Sequence, residues 1–260
     1  MSSILFEQIE GVAKITLNRP DSFNSFDREM AFRLQDLLDQ CKDDDSIRAV
    51  YLTGNGKAFC AGQDIKFLLD PANADIGLNR IVPEHYNPIV TKIYGLPKPV
   101  VCGVNGVAAG AGANIALVCD VTLATESASF IQAFSKIGLI PDSGGTYALP
   151  RLVGFQKAIA LAMLGDKVGA AEAERLGMIY KYFPDDSFEE SAFAIAKKLS
   201  QMPTKALAYT KELFNRSLTN SFEEQLQLEG VYQALAGASE DYKEGINAFV
   251  EKRKPVFKGK

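Results

Sequence analysis

Two segments of this sequence place small residues directly before a predicted helix, and such junctions can bind an oxyanion. One is AFCAGQD at residues 58–64, ahead of a short predicted helix at 65–69. The other is GAG at residues 110–112, between a buried strand that begins at Pro99 and an apolar run at 113–119 with helical spacing. Backbone N–H groups at a helix N-terminus lack partners and attract negative charge. Two such donors, each typically worth about 2.7–4 kcal/mol of transition-state stabilisation, suit the oxyanion of a thioester or another acyl group.

Other interpretations compete for residues 99–120, PVVCGVNGVAAGAGANIALVCD. The four glycines and two asparagines in this run argue against stable insertion into a membrane. Dinucleotide-binding turns carry the order G-x-G-x-x-G, whereas the order here is G-x-x-x-G-x-G. A plain buried helix without a ligand stays open beside the anion-binding junction.

One carboxylate is a candidate acid or base. The segment FSKIGLIPDSGGT, at residues 134–146, places Asp142 on a turn ahead of a helix that begins near Thr146. A carboxylate beside an oxyanion site can move a proton at the carbon next to a carbonyl group. An aspartate before glycines is also a common turn or helix-cap residue, so a purely structural role for Asp142 is the alternative. Ser143 lacks a G-x-S-x-G frame and a nearby histidine, which argues against a serine nucleophile.

Composition restricts the class of protein. The chain has 260 residues, 47% hydrophobic content and a net charge of −4, which is ordinary for a globular protein and gives no attraction to nucleic acid. Its four cysteines lack metal-ligand spacing, and the single histidine, His85, has no evident Asp or Ser partner. The N-terminal residues MSSILFEQIEG carry no secretory or transit pattern. We therefore predict a cytoplasmic protein without a metal, a membrane span or a nucleic-acid partner.

Short strands and helices alternate along the first part of the chain. Alternating polarity predicts a hairpin at residues 3–9 and 12–17, and helical spacing predicts a helix at 26–41. Residues 70–85 lack periodicity and predict a mobile loop. The recurrence of strand pairs followed by a helix predicts an α/β fold, a coiled stack of ββα turns. After Pro184 the pattern is helical throughout, at 187–201, 204–218, 222–236 and 239–252.

Three motifs resemble the hallmark segments of the crotonase, or enoyl-CoA hydratase/isomerase, superfamily: FCAGQDI at 59–65, VNGVAAGAGAN at 104–114 and IGLIPDSGGT at 137–146. The resemblance extends from the first hairpin to the last helix. It implies a crotonase-type ββα spiral core that binds a CoA thioester, over residues 1–200, and a C-terminal all-helical oligomerisation region, over 201–260. It also implies a homotrimer or a dimer of trimers, an acyl-CoA thioester as substrate, and no separate cofactor, because coenzyme A is part of that substrate.

The same resemblance assigns roles to individual residues. The backbone N–H groups of Gln63 and Ala111 occupy the positions of the oxyanion hole. Contacts with the substrate or its CoA portion are implied for Ala61, Asp64, Ile65, Lys66, Asn114, Phe134, Phe257 and Lys260. For the basic tail, EKRKPVFKGK, such contacts would reach the CoA of a neighbouring subunit, and a solvated tail is the alternative. Asp64 also suits the N-cap of the helix at 65–69.

Departures from the hydratase pattern predict the reaction. Hydratases of the superfamily use two glutamates, and the matching positions here hold Asn114 and Phe134. Asp142 stands where hydratases usually have glycine, and a single carboxylate beside an oxyanion hole suits a proton shuttle. We therefore predict an isomerase rather than a hydratase, with Asp142 as its catalytic group. An apolar lining is expected to raise the pKa of Asp142. The candidate lining residues are Phe134, Ile140, Phe67 and Tyr86.

The choice of substrate, and catalysis itself, have alternatives at the level of sequence. Segments that include HYNPIV at 85–90 and FSKIGLIPDSGGTYALPRLVG at 134–154 resemble isomerases that convert an aromatic ring-epoxide thioester of CoA into an oxepin. One alternative is an isomerase of linear 3-enoyl-CoA thioesters. Another is a non-catalytic protein that binds CoA thioesters, with Asp142 serving only as a helix cap.

Overall fold

The chain folds into two β-sheets. The computed structural model describes residues 2–73 and 75–260. A six-stranded sheet contains, in spatial order, β1 (Ile4–Ile9), β2 (Val12–Leu17), β3 (Ala49–Gly54), β5 (Val100–Val104), β7 (Val121–Thr125) and β10 (Lys181–Phe183). A four-stranded sheet contains β4 (Ala58–Cys60), β6 (Val107–Ala109), β8 (Ser129–Ile131) and β9 (Lys167–Gly169).

The order of pairing makes the chain a spiral. β1 and β2 form the predicted antiparallel hairpin, and β2, β3, β5, β7 and β10 then pair in parallel. Successive turns of the chain leave the larger sheet, add a parallel strand to the smaller sheet through β4, β6 or β8, and return. Parallel strands that are covered on both faces are continuous apolar runs, as in β5, VVCGV. The predicted ββα spiral is therefore confirmed.

Helices cover the sheets and make up the C-terminal part of the chain. They are α1 (Arg28–Asp43), α2 (Ile65–Leu69), α3 (Leu78–Ile81), α4 (Asn87–Gly95), α5 (Ala111–Val118), α6 (Gly145–Val153), α7 (Phe155–Leu164), α8 (Ala170–Arg175), α9 (Phe188–Ser200), α10 (Thr204–Ser217), α11 (Phe222–Gly237) and α12 (Glu240–Val250). In α1, Asp27 accepts a hydrogen bond from Met30 N at 2.9 Å, and Leu34 and Leu37 face the core with Met30. Among the residues described, no helix has the length and apolar character needed to span a bilayer.

Residues 70–85 differ from the mobile loop that the sequence predicts. Ala74 lies outside the described residues. From Leu78 onward the chain is helical: α3 continues through a π-helical turn at Val82–Tyr86 directly into α4. For residues 78–85 the prediction of a loop was wrong, because Pro83 and the wider π-helical turn interrupt the apolar period by which a helix is identified.

Contacts with α1 hold this helical segment in place. Ile81, His85 and Tyr86 are buried. The side-chain Nε2 of Gln35, in α1, donates hydrogen bonds to Glu84 O at 2.9 Å and to His85 O at 3.1 Å. Tertiary packing, rather than the local pattern, therefore makes the segment helical.

The helices α10, α11 and α12 follow the spiral core after a short connection from α9. Many of their large apolar side chains are exposed in the single chain: Phe214, Leu218, Phe222, Leu226, Val231, Leu235, Ile246, Phe249 and Val250. The division of the chain after residue 200 and the role of these helices in oligomerisation stay predictions.

Candidate active site

The two glycine-rich junctions meet at one point of the fold. β4 and β6 are parallel neighbours in the smaller sheet, so the segments that follow them lie side by side. Gly62 has a φ of +90°, and a Cβ atom at this position would lie 3.0 Å from Ala109 O and 3.3 Å from Ala111 N. Glycine permits both this backbone conformation and this close approach. The N-terminus of α5 therefore lies directly against residues 62–63.

Neither of the two predicted oxyanion-hole amides donates a hydrogen bond to an acceptor in the described residues. Phe26 forms a parallel bridge with Gln63, in which Phe26 N donates to Gly62 O at 2.7 Å and Asp64 N donates to Phe26 O at 2.9 Å. This pattern leaves the Gln63 N–H outside the bridge. Ala111 is the first residue of α5, where N–H groups have no partner within the helix. The two donors thus lie at adjacent junctions, and one of them is at the positive end of a helix.

The side chain of Gln63 is held between two neighbours. Its Nε2 donates to Phe26 O at 3.0 Å, and its Oε1 accepts a hydrogen bond from the Tyr86 hydroxyl at 2.9 Å. Tyr86 is buried, and this burial raises its pKa well above the ordinary value of 10.0. The hydroxyl is therefore protonated at neutral pH and acts as a donor. The sequence indicates Tyr86 only as part of an apolar lining and gives no sign of this hydrogen bond.

Asp142 lies on the turn before α6, and its side chain does not cap that helix. The N-cap residue is Gly144, and no side chain forms a cap hydrogen bond there. The Asp142 carboxylate instead accepts a hydrogen bond from Ser143 Oγ at 2.9 Å. Burial raises the pKa of Asp142, and the bond from Ser143 offsets part of that rise. The predicted direction of the pKa shift is confirmed, and the helix-cap alternative has no support.

Asp142 and the oxyanion junctions border the same region. Burial is the main cause of the raised pKa of Tyr86, and the negative charge of Asp142 adds to it, which places the Asp142 carboxylate near the Tyr86 hydroxyl. Tyr86 in turn contacts Gln63. α5, which begins at Ala111, packs against α6, which follows Asp142.

Asn114 and Phe134, two of the predicted substrate contacts, carry no ionisable group. Phe134 is buried beside the second junction, where a Cβ atom on Gly110 would lie 3.8 Å from its Cζ. Asn114 has an exposed fraction of 0%. Its Nδ2 donates to Asp142 O at 2.9 Å, and its Oδ1 accepts from Gln132 Nε2 at 2.8 Å. Both polar atoms are thus used inside the protein, which favours a positioning role for Asn114 over the predicted substrate contact.

Three other predicted contacts, Ala61, Ile65 and Lys66, are exposed next to the first junction. They are accessible to a large ligand that approaches from solvent. Ile140, by contrast, is 79% exposed and does not form part of a buried lining. The helical turn before it ends at Gly138, which has a left-handed conformation, and the chain then runs over the surface.

Asp64 is buried, and its carboxylate is engaged within the protein. It accepts hydrogen bonds from Lys66 N at 2.9 Å and Phe67 N at 3.4 Å, so it caps α2 as the sequence indicates. It also pairs with Arg19 at 2.8 Å. Burial raises the pKa of Asp64, but the bonds from Arg19 and the two amides outweigh this effect and hold the pKa below the ordinary value of 3.8. A substrate contact at this position would have to involve its backbone.

Phe257 and Lys260 lie in a tail that is anchored through its backbone. Arg48 Nη1 donates to Phe257 O at 2.6 Å. The buried carboxylate of Asp241 accepts from Lys258 N at 2.6 Å, and Asp241 N donates to Lys260 O at 3.1 Å. The tail is therefore ordered on the chain to which it belongs, while the side chains of Lys258 and Lys260 stay exposed. The ring of Phe257 lies near Gly245 of α12, and the contacts of Phe257 and Lys260 with CoA stay predictions.

The sequence pattern does not reveal two polar partners in this region, Gln132 and Arg19. Gln132 follows the apolar strand β8, and a polar residue at the end of such a strand is the signal that could have indicated a buried hydrogen-bond partner. Arg19 has no such signal, because its partner Asp64 is 45 residues away in the chain.

A separate cavity of about 730 Å³ lies between α4, α5, α6 and α10. Apolar side chains line most of it, among them Val90, Leu117 and Phe214, and an ion pair between Lys211 and Asp120 at 2.9 Å lies in its wall. It touches the Asp142 turn through Gly144 alone, and neither oxyanion junction lines it.

Similarity to known proteins extends along the whole chain. The family described as enoyl-CoA hydratase/isomerase matches residues 7–260. This chain belongs to that family. The 1,2-epoxyphenylacetyl-CoA isomerase of Escherichia coli (strain K12) is 47% identical to it over 261 residues, which cover 100% of both chains. A protein of Rhodobacter capsulatus described as "Probable enoyl-CoA hydratase" is 44% identical over 258 residues, which cover 99% of this chain and 98% of the relative.

Solved structures of the family share the fold. The crystal structure of an enoyl-CoA hydratase from Bacillus anthracis superposes with a TM-score of 0.91 at 33% identity and covers 100% of both chains. The crotonase fold with its C-terminal helical region is thus confirmed. The chain is an enzyme of the crotonase superfamily, in the group of acyl-CoA isomerases and hydratases.

Proposed function

We propose that this enzyme is an acyl-CoA isomerase in which Asp142 moves a proton while the amides of Gln63 and Ala111 bind the thioester oxygen. The observation that carries the proposal is the half-buried carboxyl group of Asp142, which does not cap α6 and whose pKa burial raises. A raised pKa makes an ionised carboxylate a stronger base. Asn114 and Phe134 supply no second acid or base, which is the arrangement that a one-carboxylate proton shuttle requires.

With a linear 3-enoyl thioester the reaction balances without any other reagent. The ionised Asp142 removes a proton from the α-carbon, and the electron pair of that C–H bond moves into a dienolate. The negative charge develops on the thioester oxygen, where the N–H groups of Gln63 and Ala111 stabilise it. The protonated Asp142 then delivers the proton to the γ-carbon, and the double bond comes to lie in conjugation with the thioester.

The favoured substrate is the ring epoxide of phenylacetyl-CoA, as in the reaction for which the relative of 47% identity is named. The carbon–carbon bond between the two epoxide carbons opens to give a seven-membered oxepin. Asp142 takes the α-proton and returns it to a ring carbon, so that the oxepin ylidene thioester contains the same atoms as the substrate. The buried rings of Phe134 and Tyr86 offer an aromatic surface, and Phe134 excludes water from this side of the site.

Binding of the CoA portion and the assembly of subunits belong to the same proposal. The exposed residues Ala61, Ile65 and Lys66 border the path of the CoA chain, and no separate cofactor is needed because the proton starts and ends on the substrate. The exposed apolar side chains of α10, α11 and α12 support a homotrimer or a dimer of trimers. Light scattering on the purified protein tests this assembly, and a stable monomer would contradict it.

A comparison of substrates tests the reaction. We expect kcat/KM to be highest for 1,2-epoxyphenylacetyl-CoA and lower for a linear 3-enoyl-CoA. Hydration of a 2-enoyl-CoA should occur only in traces. A preference for the linear thioester would identify an enoyl-CoA isomerase instead. Hydration as the main activity would overturn the proposal and identify a hydratase. This second candidate is supported by the description of the Rhodobacter relative as a probable enoyl-CoA hydratase.

Substitution of Asp142 tests the mechanism. We expect Asp142→Asn to lower kcat by about 10²–10⁴-fold, the usual contribution of a general acid–base group. Binding of the substrate is expected to persist, since the amides of Gln63 and Ala111 are unchanged. If Asp142→Asn turns over substrate nearly as fast as the wild type, another group moves the proton. If the wild-type protein binds the thioester but is inactive, the result supports a non-catalytic binding protein.

A further inference from the structure

Two buried amide side chains connect β8 to the turn that carries Asp142. Gln132 Nε2 donates to Asn114 Oδ1 at 2.8 Å, and Asn114 Nδ2 donates to Asp142 O at 2.9 Å. Gln132 is 4% exposed and Asn114 is 0% exposed. The Asp142 carbonyl also accepts from Gly145 N at 2.8 Å, so both α5 and α6 hold the same peptide group.

The direction of this chain of hydrogen bonds follows from the carbonyl group at its end. Asp142 O can only accept, so Asn114 must turn its NH₂ group toward it and its oxygen toward Gln132. Gln132 must then donate, which leaves its Oε1 buried and without a partner in the described residues. A buried oxygen without a donor is unfavourable for folding. Stability alone therefore does not account for this arrangement of the two amides.

Packing makes the fit between Asn114 and the turn specific. A Cβ atom on Gly145 would collide with the side chain of Asn114, because the two residues are in direct contact. A longer side chain at position 114 would push against this glycine and lose the bond to Asp142 O. Asparagine is thus matched to the position of the turn.

We infer that Asn114 and Gln132 are positioning residues that determine where the carboxyl group of Asp142 lies relative to the substrate. The inference rests on the proposed role of Asp142 as proton shuttle. A displacement of a reacting group by about 1 Å typically costs about 10²-fold in rate. Because Asn114 bonds the backbone of Asp142 and has no exposed surface, its loss lowers kcat and leaves KM unchanged.

Steady-state kinetics of Asn114→Ala, Gln132→Met and the double variant test the inference, with the thioester that the wild type converts fastest. For Asn114→Ala we expect kcat to fall about 100-fold, with KM unchanged within about twofold. For Gln132→Met, which keeps the volume and the bond from Asn114 to Asp142 O, we expect a decrease of about tenfold. The double variant is expected to equal Asn114→Ala, since residues that act in series are not additive.

Thr122→Val is the matched control. In the wild type, Thr122 Oγ1 donates to Ala116 O of α5 at 2.6 Å. The variant therefore also removes a buried hydrogen bond to this helix but does not touch the Asp142 turn. We expect lower stability and an unchanged kcat. A similar loss of kcat in this variant would attribute the effect to general loosening of α5 and contradict the inference.

The remaining outcomes separate this inference from the proposed function. Increased KM with unchanged kcat in Asn114→Ala would make Asn114 a substrate contact, and unchanged kinetics would deny it any role; either result overturns the inference. If Asn114→Ala does not fold, Gln132→Met is judged by the same criteria. An active Asp142→Asn variant contradicts the proposed function itself. If Asp142→Asn is inactive but Asn114→Ala is fully active, only the positioning role is contradicted.

Discussion

The hydroxyl group of Tyr86 donates a 2.9 Å hydrogen bond to Oε1 of Gln63, a residue 23 positions earlier in the chain. The bond connects the π-helical turn before α4 to the junction after β4. On its other side, Gln63 Nε2 donates to Phe26 O at 3.0 Å. The residue whose backbone N–H forms half of the proposed oxyanion hole is therefore held by its side chain from two directions.

Removal of this hydroxyl is expected to weaken catalysis more than folding. For Tyr86→Phe we expect kcat to fall about tenfold, less than the 10²–10³-fold typical for loss of a whole oxyanion-hole donor. The free energy of unfolding should fall by about 1 kcal/mol, because Gln63 Oε1 loses its donor. Steady-state kinetics and urea unfolding measure the two effects.

Tyr51→Phe is the control for this substitution. Tyr51 is also buried, but its hydroxyl contacts Glu189 at 3.4 Å, in the separate apolar cluster beneath α9. We expect this variant to keep the wild-type kcat. An unchanged kcat in Tyr86→Phe would show that the hydroxyl does not position Gln63.

The proton-shuttle mechanism predicts an acidic limb in the pH profile of kcat/KM. Only the ionised form of Asp142 can remove the α-proton, so kcat/KM falls as the pH falls through the pKa of this group. Because burial raises that pKa above 3.8, the midpoint of the limb should lie above this value. Initial rates over a series of buffers, at pH values where the protein stays folded, measure the limb. A midpoint at or below 3.8 would contradict the mechanism.

Removal of the Ser143 hydroxyl should move this limb to higher pH. The hydroxyl donates to the ionised carboxylate of Asp142 and lowers its pKa, so its loss leaves only the hydrogen bond from the backbone of Asp142 to oppose the effect of burial. Ser143 has a φ of +50°, which glycine adopts readily, and Ser143→Gly is therefore the appropriate variant. Glu10→Gly, at another residue of positive φ, is the control for the change in backbone flexibility. A limb that stays in place or moves to lower pH in Ser143→Gly would contradict the prediction.

Asp64 should stabilise the fold in a pH-dependent manner. Its pKa is lowered in the folded state, so its ionised form contributes stability above the unfolded pKa, and this contribution is lost as the pH falls through the folded pKa. Because asparagine can still cap α2, we expect Asp64→Asn to lose only the contribution of the charge, about 0.3–1 kcal/mol in the free energy of unfolding at pH 7. The difference between wild type and variant should vanish in acid. Urea unfolding at several pH values tests this, and a difference that is independent of pH would argue against it.

The anchored tail allows a test of the predicted contact between Lys260 and CoA. For Lys260→Ala we expect KM for the acyl-CoA to rise about fivefold at most, since exposed ion pairs contribute up to about 1 kcal/mol, and kcat to stay unchanged. When the same acyl group is carried by pantetheine, which lacks the nucleotide phosphates, Lys260→Ala should leave KM unchanged. Lys181→Ala, at an exposed lysine of β10, is the control. Equal effects on both thioesters would contradict a phosphate contact.

Several features of this protein follow from the sequence by itself. The hairpin of β1 and β2, the amphipathic helix α1 and the helices after Pro184 lie close to where local periodicity predicts them, because each depends on residues a few positions apart. The two glycine-rich junctions and the turn of Asp142 are equally local features, and their residue types are the basis of the proposed oxyanion binding and proton transfer.

Only the tertiary structure decided which polar groups meet. Asn114 and Asp142 are 28 residues apart, and they form a hydrogen bond because α5 packs against α6. Arg48 binds the backbone of Phe257 across 209 residues. The helical segment around Pro83 forms because it is buried against α1. A sequence contains the donors and acceptors, but the distances between them are determined by the packing of whole elements, which no local pattern encodes.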